Sequence, residues 1–218
     1  MEAKGGKLDE SIAGKWQPHK KGCTDAALEE VGQALKREGI AAEPFWIGNQ
    51  PLTGCIGCGY CAGHGRCRYD DRVNGFLDVA GEYDGFVFGA PVHFASAAAS
   101  MIAFLDRAFF TDHCAGLGLF TLKPGAALVS ARRAGTTAAL DELNKFMTYA
   151  QMPVVSSRYW NMVHGQTPEQ VHRDAEGVQI MRVLGKNMAW LLKSIEAGKQ
   201  AGVPLPEPEE RISTNFIL

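Results

Sequence analysis

Between Thr24 and Gly39 the chain reads TDAALEEVGQALKREG, with apolar residues three and four apart, a Thr24 cap at its start and a glycine at its end. That pattern predicts a helix. IAAEPFWIG then reads as a short strand, VNGFLDVAGEY as a helix, and DGFVFGAPV as an apolar run of buried-strand character. ASAAASMIAFLDRAFF predicts a helix, GAALVSA a buried strand, TTAALDELNKFMTYAQ a helix and MPVVSSRYW a last strand. The final long amphipathic helix is EGVQIMRVLGKNMAWLLKSIEAGKQ, where Ile180, Val183, Leu184, Met188, Leu191 and Leu192 recur at helical spacing. Strands alternating with helices predict a doubly wound α/β fold, a parallel sheet with helices on both faces. Four strands are evident, and a fifth would have to come from the N-terminal region. There LDESIAGKW is polar and short, a poor candidate. In such a sheet ligands bind in the loops after the strand C-termini.

Composition narrows the function. At 218 residues and 46% hydrophobic, residues 1–218 are expected to form one domain, with a cysteine-rich loop at 54–71 and a tail from about 199 containing VPLPEPEER. Lysine and arginine number 22 against 24 acidic residues, a formal net charge of −2 that provides no basic field for nucleic acid or an anionic membrane. The opening MEAKGGKLDESIAGKWQPHKK lacks the apolar core of a signal peptide, and no apolar run approaches the ~20 residues that span a bilayer. A cytoplasmic protein is expected, and there clustered cysteines serve metal binding or redox chemistry more often than structural disulfides.

Four of the six cysteines lie in CIGCGYCAGHGRC, spaced C-x2-C-x2-C-x5-C: Cys55, Cys58, Cys61 and Cys67. The two-residue gaps let neighbouring thiolates converge, and the glycines between them leave the backbone free to wrap a centre. Such a set suits a four-iron cluster. It also suits zinc, or stands as unmetallated thiols or a disulfide. Cys23 and Cys114 read as isolated thiols. Three further loops follow strands or precede helices. GAPVHF would present backbone groups and an aromatic edge to a planar ligand; WQPHKKGCT is basic and leads into a helix; SARRAGTT offers two arginines with forked donors for an anion.

GAPVHFASAAASMIAFLDRAFF, together with the cysteine loop and its trailing Asp70 and Asp71, resembles the NADPH-dependent FMN reductase family of the flavodoxin-like superfamily, within it the iron-sulfur flavoproteins, over roughly residues 16 to 195. The resemblance implies an FMN-dependent oxidoreductase taking electrons from NAD(P)H or a ferredoxin-like donor to a quinone, a small acceptor or another redox protein. It implies that Pro91, Val92, His93, Phe94 and Ser96 hold the flavin ring, with His93 where the family usually has tyrosine. It places the FMN phosphate on the loop containing Pro18, His19, Lys20, Gly22, Cys23 and Thr24, in which Pro18, Gly22 and Thr24 match the family pattern. Gln17, His19 and Cys23 replace its Ser, Arg and Asn, and Lys20 and Lys21 restore positive charge. Arg132, Arg133 and Gly135 would border the flavin edge, and Cys55, Cys58, Cys61 and Cys67 would ligate a 4Fe-4S cluster. A homodimer or homotetramer is implied as well. The competing reading is a metal-binding or interaction protein that keeps the scaffold without the flavin. Tyr159 and Trp160 are expected at the pocket or a subunit contact, with buried packing the preferred alternative for Trp160, and His164 in a structural or exposed position.

Overall fold

The apolar runs divide by parity. The computed structural model describes residues 10–15, 21–210, 212 and 214. Within it, β3 (Gly85–His93) gives Phe86, Phe88 and Ala90 to one buried cluster and Val87 to another. β5 (Gly125–Ala131) divides likewise, Ala127 and Val129 to the first and Ala126 and Leu128 to the second. Side chains alternate along a strand, so each continuous apolar run furnishes both faces of a covered sheet.

Five strands lie in parallel in the order β2 (Ala41–Trp46), β1 (Glu10–Lys15), β3, β5, β6 (Met162–His164), and β4 (Ser96–Ala97) pairs antiparallel with the end of β3. Helices α3 (Arg72–Ala80), α4 (Ala99–Ala115) and α5 (Thr136–Tyr149) cover the first face. Helices α1 (Cys23–Arg37), α6 (Pro168–Arg173) and α7 (Ala175–Gln200) cover the second. This is the flavodoxin-like strand order of the doubly wound α/β fold. Aromatic packing ties α3 and α4 to the sheet: the Phe76 ring lies 5.2 to 6.4 Å from those of Phe45, Phe86, Phe88, Phe104 and Phe120.

Several elements differ from expectation. The segment judged too polar and short supplies β1, which sits between β2 and β3 with Ile12 opposite both Glu43 and Phe86. Pairing along both edges determines that strand, and its composition does not. MPVVSSRYW is not a strand; only Val154 bridges to Gly125, and β6 begins later, at Met162. There the Ser157 hydroxyl donates to the Tyr159 carbonyl at 2.7 Å, a local bond that competes with ladder formation. Thr24 does not cap α1. Gly22 occupies that position, and the Thr24 side chain is directed to Ser130 instead. Two short helices, α2 (Tyr60–His64) and α6, are too brief to show helical periodicity in sequence.

Candidate functional site

Because the sheet is parallel, β1, β2, β3, β5 and β6 all end at one edge. At that edge β3 folds back on itself: Val92 pairs with Ala97, His93 pairs with Ser96, and the Ala98 N–H donates to the Pro91 carbonyl at 3.0 Å. The turn is made by Phe94, which has φ 55° and a fully exposed ring. A bulky residue in the left-handed region with no protein packing around its ring is held there by the hairpin, at a conformational cost. The Ser96 hydroxyl donates to the Glu142 carboxylate of α5, which ties the hairpin to the neighbouring helix.

The next loop meets it. Arg132 and Arg133 follow β5 and are exposed, and Gly135 caps α5 with φ 93°. A β-carbon on Gly135 would stand 3.0 Å from Val92 Cγ1, so the loop bearing the two arginines rests directly on the β3 hairpin. On the other side of the edge, Thr24 Oγ1 and Ser130 Oγ share a 2.8 Å hydrogen bond, fully buried. The Cys23 thiol donates to the Gly165 carbonyl at 3.4 Å, and burial pushes that thiol above its ordinary pKa, so it remains a protonated donor. Gly22, Cys23 and Thr24 thus open α1 beside β5 and β6, with no side chain capping the helix. Pro18, His19 and Lys20 lie outside the described residues.

The cysteine loop leaves β2 and lies across α4. Cys55, Cys58, Cys61 and Cys67 line one hollow, with Ile56 and Phe110 as apolar wall and Arg68 and Arg107 as cations. Cys55 and Cys58 are exposed, Cys61 is buried in α2 and Cys67 is half-buried, and none of the six cysteines is in a disulfide. Among the described residues no three Cys, His or carboxylate side chains already converge as a metal-holding group. The loop's two ends are nonetheless fixed. The Cys55 N–H donates to Asp106 Oδ2 at 3.2 Å. The Cys67 N–H donates to Asn74 Oδ1 at 2.8 Å, and Asn74 Nδ2 donates back to the Cys67 carbonyl at 3.0 Å. Arg107, 1% exposed, donates to Cys67 Sγ from Nε and from Nη2, each at 3.2 Å, and pairs with both oxygens of Asp71 at 2.7 and 3.0 Å.

Arg107 and Asp71 stand in the segments that carry the resemblance, but their contact is not legible there. An arginine inside the apolar run AFLDRAFF is the one signal, since a buried charge demands a partner. Asn74 and Glu142 gave none. Trp160 is not buried: it is 52% exposed, edge to face with Tyr159 at 4.5 Å. His164 is half-buried, 3.7 Å from Asp174.

The family model for NADPH-dependent FMN reductase matches residues 12–167. An iron-sulfur flavoprotein of Methanocaldococcus jannaschii is 29% identical over 185 residues, covering 82% of this chain and 95% of that protein. One of Archaeoglobus fulgidus is 25% identical over 184 residues, covering 79% and 92%. Among solved structures, a flavodoxin from the domain Archaea superposes with TM-score 0.57 at 16% identity over 84% of this chain and 99% of its own. The match takes in the β3 hairpin, the arginine loop, the start of α1 and the cysteine loop alike, and the chain belongs to the NADPH-dependent FMN reductase family of FMN-dependent oxidoreductases.

Proposed function

We propose that this oxidoreductase takes electrons from NAD(P)H or a ferredoxin-like carrier onto FMN and passes them on through a 4Fe-4S cluster ligated by Cys55, Cys58, Cys61 and Cys67. The observation that carries the reading is the hollow on α4. Its wall brings together four cysteine sulfurs with no carboxylate or imidazole, and two guanidinium groups stand beside it. Such a set fits a metal-sulfur centre, whose net charge the Arg68 guanidinium offsets. Two relatives named as iron-sulfur flavoproteins support the same assignment.

When bound, FMN accepts a hydride as an electron pair, and an iron-sulfur cluster handles electrons singly. The chain's own residues have distinct tasks. The uncapped start of α1 offers backbone N–H groups to the FMN phosphate beside Gly22, Cys23 and Thr24. Pro91, Val92, His93, Phe94 and Ser96 shape the surface on which the isoalloxazine ring lies. Arg132 and Arg133 supply forked donors for negative charge at the flavin edge. A quinone, a small acceptor or a redox protein takes the electrons, and a second copy of the chain covers the exposed Tyr159 and Trp160 in a homodimer or homotetramer.

The test is protein purified without oxygen, its visible spectrum recorded and its iron and acid-labile sulfide assayed on the same sample. Flavin bands with equal iron and sulfide are expected. Flavin bands without sulfide would remove the cluster, and protein that stays colourless after FMN is offered would remove the enzyme reading altogether.

A further inference from the structure

We propose that Arg107, locked by Asp71, is the positioning residue of the cysteine site: its Nε and Nη2 hydrogens hold the Cys67 sulfur as a preset ligand and raise the reduction potential of the centre bound there. The proposal rests on the cluster reading above.

The guanidinium has five N–H donors, and the geometry accounts for all of them. Nη1 donates to Asp71 Oδ2 at 2.7 Å and to the Thr53 carbonyl at 3.3 Å. Nη2 donates to Asp71 Oδ1 at 3.0 Å, and its second hydrogen is shared between the Tyr69 carbonyl and Cys67 Sγ, both at 3.2 Å. Nε is left with one acceptor, Cys67 Sγ, at 3.2 Å. A structural ion pair needs only the two bonds to Asp71. Here the same carboxylate fixes the plane of the guanidinium so that its remaining edge faces sulfur, and the Tyr69 ring, 5.1 Å from Cζ, stacks against it.

Cys67 is therefore held from three directions, its N–H and carbonyl by Asn74 and its sulfur by Arg107. Cys55 and Cys58 are exposed and have no comparable restraint on their sulfurs. One ligand is preset, and the exposed Cys55 and Cys58 side chains complete the set around it. Asp71 neutralises the guanidinium, so what reaches the sulfur is directed N–H donation. Donation to a ligating sulfur withdraws electron density and favours the reduced centre, and partners of this kind also strengthen metal retention.

The experiment uses the full chain, purified without oxygen, as wild type, Arg107→Lys, Arg107→Gln and the double variant Arg107→Gln/Asp71→Asn. The double variant leaves no uncompensated buried charge. FMN quenching, read from loops that Arg107 does not touch, reports whether each variant is folded. The readouts are iron and sulfide content, the chelator concentration that strips half the iron, and the midpoint potential. Both neutral variants should bind FMN as wild type does, lose iron at about 10- to 100-fold lower chelator concentration and show a more negative potential. Lysine keeps the charge but not the fork, so it too should bind FMN as wild type does and still show the more negative potential. Iron-loaded variants with wild-type potential and chelator sensitivity overturn the proposal and leave the cluster reading standing. Loss of FMN binding in every variant, the double one included, overturns it in favour of a purely structural ion pair. Wild-type protein without iron and sulfide overturns both.

Discussion

Gly89 is where the fold and the proposed phosphate site press on each other. It lies in β3 on the face covered by α1, and a β-carbon there would stand 2.9 Å from Leu28 Cδ1, 2.9 Å from Thr24 Cγ2 and 3.1 Å from Leu28 Cγ. Thr24 is fully buried and its hydroxyl is bonded to Ser130, so it has no free direction in which to yield. Relief requires the first turn of α1 to move outward. Overpacking of this kind costs about 1–3 kcal/mol. If α1 stays in place, the Gly89→Ala protein absorbs that strain as lost stability, a fall of roughly 2–12 °C in Tm for a chain of this size. If α1 moves, the apoprotein is nearly as stable as wild type. FMN binding must then pull the helix start back, and the same strain weakens the Kd by roughly 5- to 150-fold. Thermal unfolding of apoprotein and flavin-fluorescence titration, run together, read both channels. A Gly89→Ala protein with both the Tm and the FMN Kd of wild type would refute the argument, since the strain would have gone nowhere.

Gly135→Ala combines a positive φ of 93° with a 3.0 Å approach to Val92 Cγ1, and is expected to cost about 1–3 kcal/mol. Denaturant unfolding measures it, and weaker FMN quenching should accompany it because the disturbed contact joins the arginine loop to the β3 hairpin. Asp112 is buried, and desolvation holds its carboxyl above the usual 3.8, against the 2.7 Å bond it accepts from the Leu119 N–H. Between 3.8 and that raised value the folded protein binds more protons than the unfolded chain, so this group's contribution to stability increases as pH falls through the raised value. Asp112→Asn keeps the acceptor and loses the titration. Its stability relative to wild type should be highest near pH 7 and decline as pH falls toward 3.8, read from urea unfolding across that range; a constant difference would contradict the assignment.

The central architecture was legible because its apolar runs are long. β3, β5 and the helices after them announce themselves through Phe86, Phe88, Leu128 and the spacing of α4, α5 and α7, and the loops between them place Pro91–Ser96 and Arg132–Gly135 at the strand ends. β1 was not legible, since its place comes from the edges of β2 and β3 and ESIAGK carries little pattern of its own. The C-terminal strand was misplaced because MPVVSSRYW is apolar enough to pair, whereas a local serine bond turns the chain and Asn161 takes the Ala127 carbonyl at 3.0 Å before β6 begins. At the cysteine loop the spacing identified four thiols but not what fixes them. The Arg107–Cys67 contact spans 40 residues and the Asp106–Cys55 contact 51, and a pattern read along the chain does not reach that far.

One helix serves both loops. α4 starts immediately after the β3 hairpin, and Asp106 and Arg107, which grip the two ends of the cysteine loop, stand eight residues along it at most, roughly 12 Å from its first turn at 1.5 Å per residue. Between them the helix is pinned to the sheet by Met101, Phe104 and Leu105, all buried in the cluster that also holds Phe88 and Ala90 of β3. The separation of the hairpin from the cysteine hollow is therefore fixed by a packed helix and by the β3 strand under it. Loop flexibility does not set it. The exposed side chains of Cys55 and Cys58 can adjust to a ligated centre, while Arg107 holds Cys67 to α4. The electron transfer proposed between FMN and a centre at this site needs a constant distance and an adaptable ligand shell, and this division between packed helix and glycine-rich loop provides both.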